Sequence, residues 1–136
     1  MDKISTINSP IVSIFVCTYN QEKYIEETLN SFLSQKCDFT FEIIIADDCS
    51  KDSTLKICQH YQKNNRNIIK IIRREKNLGL IKNFFTGIMY CQGKYIAMCG
   101  GDDYWTDSLK LQKQISFLEQ NSEYVISYSD SSMINE

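Results

Sequence analysis

The sequence predicts an α/β fold, a mostly parallel sheet with helices on both faces, and three features predict it. Short apolar runs alternate regularly with segments of helical periodicity. The first run is nearly continuous and rich in β-branched residues, as expected of a strand covered on both faces. The runs end in polar residues or glycines, so chemistry-bearing side chains collect at strand ends.

At 136 residues and 43% hydrophobic, the chain can bury the core of one domain. Its net charge of −2, with both signs interspersed, points to neither nucleic acid nor an anionic membrane as partner. Any phosphate must then be held by local geometry. Six cysteines contain no C-x-x-C pair and read as small apolar residues of a reducing cytosol, not as zinc ligands or a disulfide framework. The single histidine, His60, lies mid-helix among polar neighbours and reads as solvated. Residues 1–10 form an N-terminal extension without a signal-peptide core, and no later run approaches the ~18 apolar residues of a membrane span.

In chain order, Ile11 to Cys17 is the first strand and stops at Thr18-Tyr19-Asn20. Glu22 to Ser34 follows as a helix, with Ile25, Thr28, Leu29, Phe32 and Leu33 on one face. Phe41 to Ala46 is a second strand ending in Asp47-Asp48, and a helix from about Ser53 to Gln62 buries Leu55, Ile57, Cys58 and Tyr61, with Ser50 and Asp52 as capping oxygens. A third strand, Ile68 to Ile72, leads into Arg73-Arg74. Its helix, Leu80 to Tyr90, carries Ile81, Phe84, Phe85, Ile88 and Met89 on one face, with Gly93 a natural left-handed cap. Tyr95 to Cys99 is a fourth strand that breaks on Gly100-Gly101 and presents Asp102-Asp103. A fourth helix from about Asp107 buries Leu111, Ile115 and Leu118, and Tyr124 to Tyr128 reads as a fifth strand.

Right-handed crossovers bring every strand end to the same edge of such a sheet. Thr18-Tyr19-Asn20, Asp47-Asp48, Arg73-Arg74 and Asp102-Asp103 therefore face one crevice. The expected strand order places the first strand between the second and fourth, with the third outside the second, so the crevice opens where the order reverses. Two acidic pairs and one basic pair there suit a nucleoside diphosphate: carboxylates for a base, ribose or Mg²⁺ or Mn²⁺, and an arginine fork for phosphate. G-x-G-x-x-G and G-x-x-x-x-G-K-[ST] are both absent, and the first strand lacks the acidic pair of a receiver domain.

These residues carry a resemblance. Val12 to Asn20 with Tyr24-Ile25, Glu42 to Thr54, Asn77-Leu78-Gly79 with Asn83, and Gly93 to Ala97 leading to Gly101 to Trp105 are similar to the motifs of family 2 glycosyltransferases, in order and spacing, from Ile11 to about Asp130. The resemblance implies a Rossmann-like GT-A nucleotide-diphospho-sugar transferase fold, with residues 11–130 as its donor-binding domain. It implies transfer of a sugar from a nucleoside diphosphate sugar, commonly a UDP-sugar, to a saccharide or lipid-linked acceptor, as in bacterial surface polysaccharide synthesis. Thr18, Tyr19 and Asn20 then match positions at the nucleobase and ribose pocket, and Asp47-Asp48 the carboxylate that reads the base. Arg73 or Arg74 approaches the base or diphosphate. Asp102 matches the closing acid of the D-x-D motif and holds Mg²⁺ or Mn²⁺, while Gly101, Asp103 and Trp105 support that loop and wall the sugar pocket.

Two departures stand out. Gly100 occupies the first acidic position of D-x-D. No residue before Glu136 matches the family's catalytic base or acceptor site, so the chain reads as the amino-terminal part of a longer cytoplasmic enzyme. Residues 131–136 then belong to a truncated continuation, through which alone a membrane would be met, and the uncovered chain is expected to self-associate. A noncatalytic nucleotide-sugar-binding module is the alternative of another class. A nucleotidyltransferase is the alternative enzyme, against which stands the lack of a glycine-rich loop after the first strand.

Overall fold

A computed structural model describes residues 9–134. Its elements run β1 (Val12–Thr18), α1 (Ile25–Leu33), β2 (Phe41–Asp47), α2 (Thr54–Asn64), β3 (Ile69–Arg73), α3 (Leu80–Ile88), β4 (Tyr95–Gly100) and α4 (Lys110–Gln120). All three strand pairings are parallel and the sheet order is β3-β2-β1-β4. That is the expected order. The chain steps outward from β1 to β3 and then returns to the other side of β1, which opens the crevice between β1 and β4.

Strand alternation divides the core. Val12, Ile14 and Val16 of β1 and Ile43 and Ile45 of β2 pack with Ile25, Leu29 and Phe32 of α1, Cys58 of α2 and Leu111 and Ile115 of α4. On the opposite face Phe15, Ile44, Ala46 and Ile72 meet Phe84 and Ile88 of α3. Helices cover both faces, three on one and one on the other.

The single helix lies close to the sheet because of what it lacks. An ideal Cβ on Gly87 would stand 2.9 Å from Phe15 Cζ and 3.0 Å from Ala46 Cβ. Asn83 beside it is buried and donates to the Ala46 carbonyl at 2.9 Å. Consequently Ile81, Phe85 and Met89, expected on the same apolar face as Phe84 and Ile88, are 74%, 65% and 80% exposed. Periodicity tells which residues share a helix face; here the small and polar residues decided which face turned inward.

Three further expectations are corrected. Tyr124 to Tyr128 forms no strand, since extended backbone becomes a strand only against a partner and none lies beside it among the described residues. Gly93 is no left-handed cap: a Cβ there would stand 2.5 Å from Ser13 N, so close approach to β1 is what demands glycine. Ser50 caps nothing on α2, because its Oγ accepts from Asn20 N (3.0 Å), whereas Asp52 Oδ1 does accept from Thr54 N (2.9 Å). Of the flanking segments, residues 1–8 and 135–136 lie outside the described residues.

At the edge of the sheet opposite the crevice, Glu42 is buried in a polar knot. Its Oε1 accepts from Ser13 Oγ (2.7 Å) and Gln92 N (2.8 Å), and its Oε2 from Lys70 Nζ (2.7 Å). Burial raises its pKa, but the hydrogen bonds from Lys70, Ser13 and Gln92 outweigh that and hold it below the ordinary 4.5. A depressed folded pKa means that this stabilisation is complete above the unfolded value and is lost as pH falls through the folded one. Glu42→Gln is therefore expected to cost about 1–3 kcal/mol at pH 7, with the half-exposed Lys70 contributing the lesser share. The loss should shrink below pH 4.5; urea melts of both chains across that range check it.

Candidate functional site

Because every pairing is parallel, the carboxyl ends of all four strands lie on one edge. A cavity of about 320 Å³ opens there. Cys17, Thr18, Tyr19 and Gln21 line it from the end of β1, Asp48 from the end of β2, Asn77 and Gly79 from the approach to α3, and Leu80 and Asn83 from the start of α3. A second hollow of about 380 Å³ beside α2, lined by Gln59, Gln62, Lys63 and Arg66, contains none of the strand-end residues and no converging acid.

The acidic pair on β2 divides its labour. Asp48 reaches the cavity and is almost buried. Its Oδ1 accepts from Leu78 N (2.7 Å) and its Oδ2 from Gly79 N (2.9 Å), so one carboxylate shapes the far wall. Two oxygens also leave lone pairs for a ligand. Asp47 is fully buried beneath, with Oδ2 accepting from Ser50 N (3.1 Å) and Oδ1 without a partner among the described residues. It does not line the cavity.

Thr18 lies inside, donating from Oγ1 to Gln21 Oε1 at 2.8 Å, and Tyr19 stands half-exposed at the rim. Asn20 adopts the left-handed region (φ 53°) that asparagine tolerates, and its Oδ1 accepts from Lys51 N at 2.7 Å. Asn20 thus ties the turn after β1 to the turn after β2 and does not line the cavity. The two arginines separate as well. Arg74 Nε donates to Asn83 Oδ1 (3.0 Å) and its Nη2 to Thr86 Oγ1 (2.7 Å), which holds it beside the cavity wall. Arg73 is exposed and makes no side-chain hydrogen bond or ion pair among the described residues.

After β4 the acidic loop turns through an Asp103 N to Gly100 O hydrogen bond of 3.3 Å. An ideal Cβ on Gly100 would stand 2.8 Å from Asp102 Oδ1 and 2.9 Å from Asp103 Oδ2. Both carboxylates therefore lean over the same place. Glycine at the first D-x-D position leaves room for this convergence, and the second acid of the pair is Asp103. Like charges so close repel, and a divalent cation relieves that repulsion. No third His, Cys, Asp or Glu joins them among the described residues, so further ligands would be phosphate oxygens and water, a donor set suited to Mg²⁺ or Mn²⁺.

Gly101 is buried against β1, where a Cβ would run into Gln21 and stand 3.0 Å from Thr18. Trp105 packs on Phe32 at 4.7 Å, with Lys110 Nζ 5.4 Å from its ring. Cys17 lines the cavity, and burial, then the Asp48 charge, pushes its thiol up to about 11, which disfavours the thiolate form. The lining residues that sequence reasoning missed are Cys17, Gln21, Leu80, Asn77, Gly79 and Asn83. The last three belong to the family-like motifs, and a mid-helix asparagine was the available signal for a wall.

The family model for glycosyl transferase family 2 matches residues 13–132. An uncharacterized protein of Mycobacterium tuberculosis is 41% identical over 117 residues, 86% of this chain and 34% of its own length. The putative teichuronic acid biosynthesis glycosyltransferase TuaG of Bacillus subtilis is 37% identical over 83% of this chain and 44% of its own length. The chain thus spans less than half of either relative. The crystal structure of Staphylococcus aureus TarS 1–349 in complex with UDP superposes with a TM-score of 0.72 and 34% identity, over 82% of this chain and 32% of that one. With its sheet order, its strand-end cavity and this match across nearly the whole chain, the protein belongs to glycosyl transferase family 2 and has the GT-A fold.

Proposed function

We propose that residues 11–130 form the donor-binding domain of a transferase that moves a sugar from a nucleoside diphosphate sugar, with UDP as the nucleotide, to a saccharide or lipid-linked acceptor. The observation that carries this reading is the convergence of two carboxylates over Gly100 at the same sheet edge as the cavity lined by Thr18, Tyr19 and Asp48. The crystal structures of TarS in complex with UDP and with UDP-GlcNAc support the choice of nucleotide. The names of TuaG and of TarS, a poly(ribitol-phosphate) β-N-acetylglucosaminyltransferase, support bacterial surface polysaccharide synthesis.

In this reading Thr18, Tyr19 and the wall ordered by Asp48 bind the nucleoside, with Arg73 or Arg74 toward the base or diphosphate. Asp102 and Asp103 hold Mg²⁺ or Mn²⁺, which supplies charge to the leaving diphosphate. Trp105 and Gly101 keep that loop against α1 and β1. Neither the catalytic base nor the acceptor site is assigned to a residue of this chain. The proposal includes a cytoplasmic setting, which the six free cysteines suit. Among the described residues no helix is long and apolar enough to cross a membrane.

Calorimetry with UDP tests the reading. UDP is expected to bind about tenfold tighter with Mn²⁺ than with chelator, ~1.4 kcal/mol, and Asp102→Asn to abolish that difference, since a neutral amide is a poor ligand for a hard cation. Full metal-dependent binding by Asp102→Asn overturns the metal assignment. Asp48→Asn is expected to weaken UDP with or without metal, because an amide has one acceptor oxygen for the two N–H groups of Leu78 and Gly79.

The glycine makes a sharper demand. Gly100→Asp, which restores the family's D-x-D spelling, should weaken Mn²⁺-dependent binding, because the new side chain occupies the place where Asp102 and Asp103 converge. Tighter Mn²⁺ binding by that variant would show that the convergence is not the ligand set.

The chain is also proposed to self-associate. Ile96 and Met98 are exposed on β4, a strand with one edge unpaired in the described sheet, on the sheet face that α3 partly covers. Sedimentation velocity should show weight-average mass rising with concentration; a constant monomer mass rejects this.

A further inference from the structure

We infer that Thr28 is the positioning residue that sets the acidic loop for its cation, an inference that rests on the donor-site reading above. Neither the Asp102 nor the Asp103 carboxylate makes a hydrogen bond or ion pair among the described residues, and both residues are exposed. Their convergence over Gly100 therefore depends on the backbone that carries them.

Thr28 holds that backbone. It lies on α1, is 1% exposed, and its Oγ1 stands 2.7 Å from the Asp103 carbonyl oxygen and 3.1 Å from that of Gly101. The carbonyl one turn back in its own helix, Tyr24 O, is farther at 3.3 Å. A helical threonine ordinarily donates to that preceding turn; here the shortest contact leaves the helix for the loop. One hydroxyl carries one proton, so it is shared among these acceptors, and the two loop carbonyls bracket Asp102.

Other ties come from the residues just past the end of α1. Gln35 Nε2 donates to Asp107 O (2.9 Å), its Oε1 accepts from Leu111 N (3.1 Å), and Lys36 N donates to Ser108 O (2.8 Å). Those bonds hold the segment leading into α4. Among these hydrogen bonds, those of Thr28 reach the loop that presents the carboxylates.

Two mutually repelling carboxylates on a loosened loop splay apart, and a cation must then draw them together at a cost in its own affinity. Loss of the hydroxyl should therefore appear in the metal requirement and not in nucleoside binding, whose walls come from β1, β2 and α3. The experiment is calorimetric titration of UDP into wild type, Thr28→Val, Thr28→Ala and Thr28→Ser at stepped Mn²⁺ and in chelator. The emission of Trp105, the chain's one tryptophan, and thermal melts serve as folding controls. Thr28→Val should raise the Mn²⁺ midpoint about 10–100-fold, the usual effect of losing a group that orients metal ligands, with UDP affinity in chelator unchanged. Thr28→Ala removes the same donor without setting a methyl against the carbonyls and should behave alike. Thr28→Ser should restore the wild-type midpoint. A wild-type midpoint in Val and Ala, or an equal loss of UDP affinity with and without metal, overturns the positioning role and leaves the donor site standing. A wild type without any Mn²⁺ effect overturns the metal reading, and this inference with it.

Discussion

Parallel pairing of β1 with strands on both sides is the constraint on which the rest of the structure depends. It gathers four carboxyl ends on one edge, and the reversal of order at β1 leaves a gap that no crossover covers. The polar residues at strand ends become a site only through that geometry. The same pairing forces three crossover helices, α1, α2 and α3; the apolar faces of α1 and α2, joined by α4 after the last strand, bury Val12, Ile14, Ile43 and Ile45 on one side. Stability and site are two consequences of one topology.

Within that frame the backbone does much of the positioning. Asp48 spends its carboxylate on two backbone N–H groups and so turns the chain before α3 into a cavity wall. Gly93 lets the turn into β4 press on β1, and Gly101 lets the acidic loop do the same at the other end of the strand. β4 is thus held at both ends against the central strand. The exposed carboxylates of Asp102 and Asp103 inherit their places from this packing and from Thr28.

The opposite face of the sheet is built differently. One helix covers it, seated low on Gly87 and Asn83, and its larger apolar residues turn outward, while Ile96 and Met98 of β4 are exposed on the same face. Two carboxylates are buried on this side, Asp48 at the cavity and Glu42 at the far edge, where Ser13, Gln92 and Lys70 satisfy it. The domain therefore has a well-filled face toward α1, α2 and α4 and a thinly covered one toward α3.

The sequence by itself determined the four strands, the four helices, their order in the sheet and the edge at which the polar motifs meet. Those follow from local periodicity and from the handedness of crossovers, which act on residues near in sequence or on topology alone. It also brought Thr18, Tyr19, Asp48 and the loop from Gly101 to Trp105 to one place. Tertiary structure decided what depends on distance between remote residues. It separated Asp48 from the buried Asp47 and Arg74, bound to α3, from the free Arg73. It made Asn20 a tie between loops, paired Asp103 with Asp102 over Gly100, and left Tyr124 to Tyr128 without a strand partner. A hydrogen-bond partner, a clash at a missing Cβ and a ladder neighbour are each supplied by another part of the chain, and no periodicity in the residues themselves records which part that is.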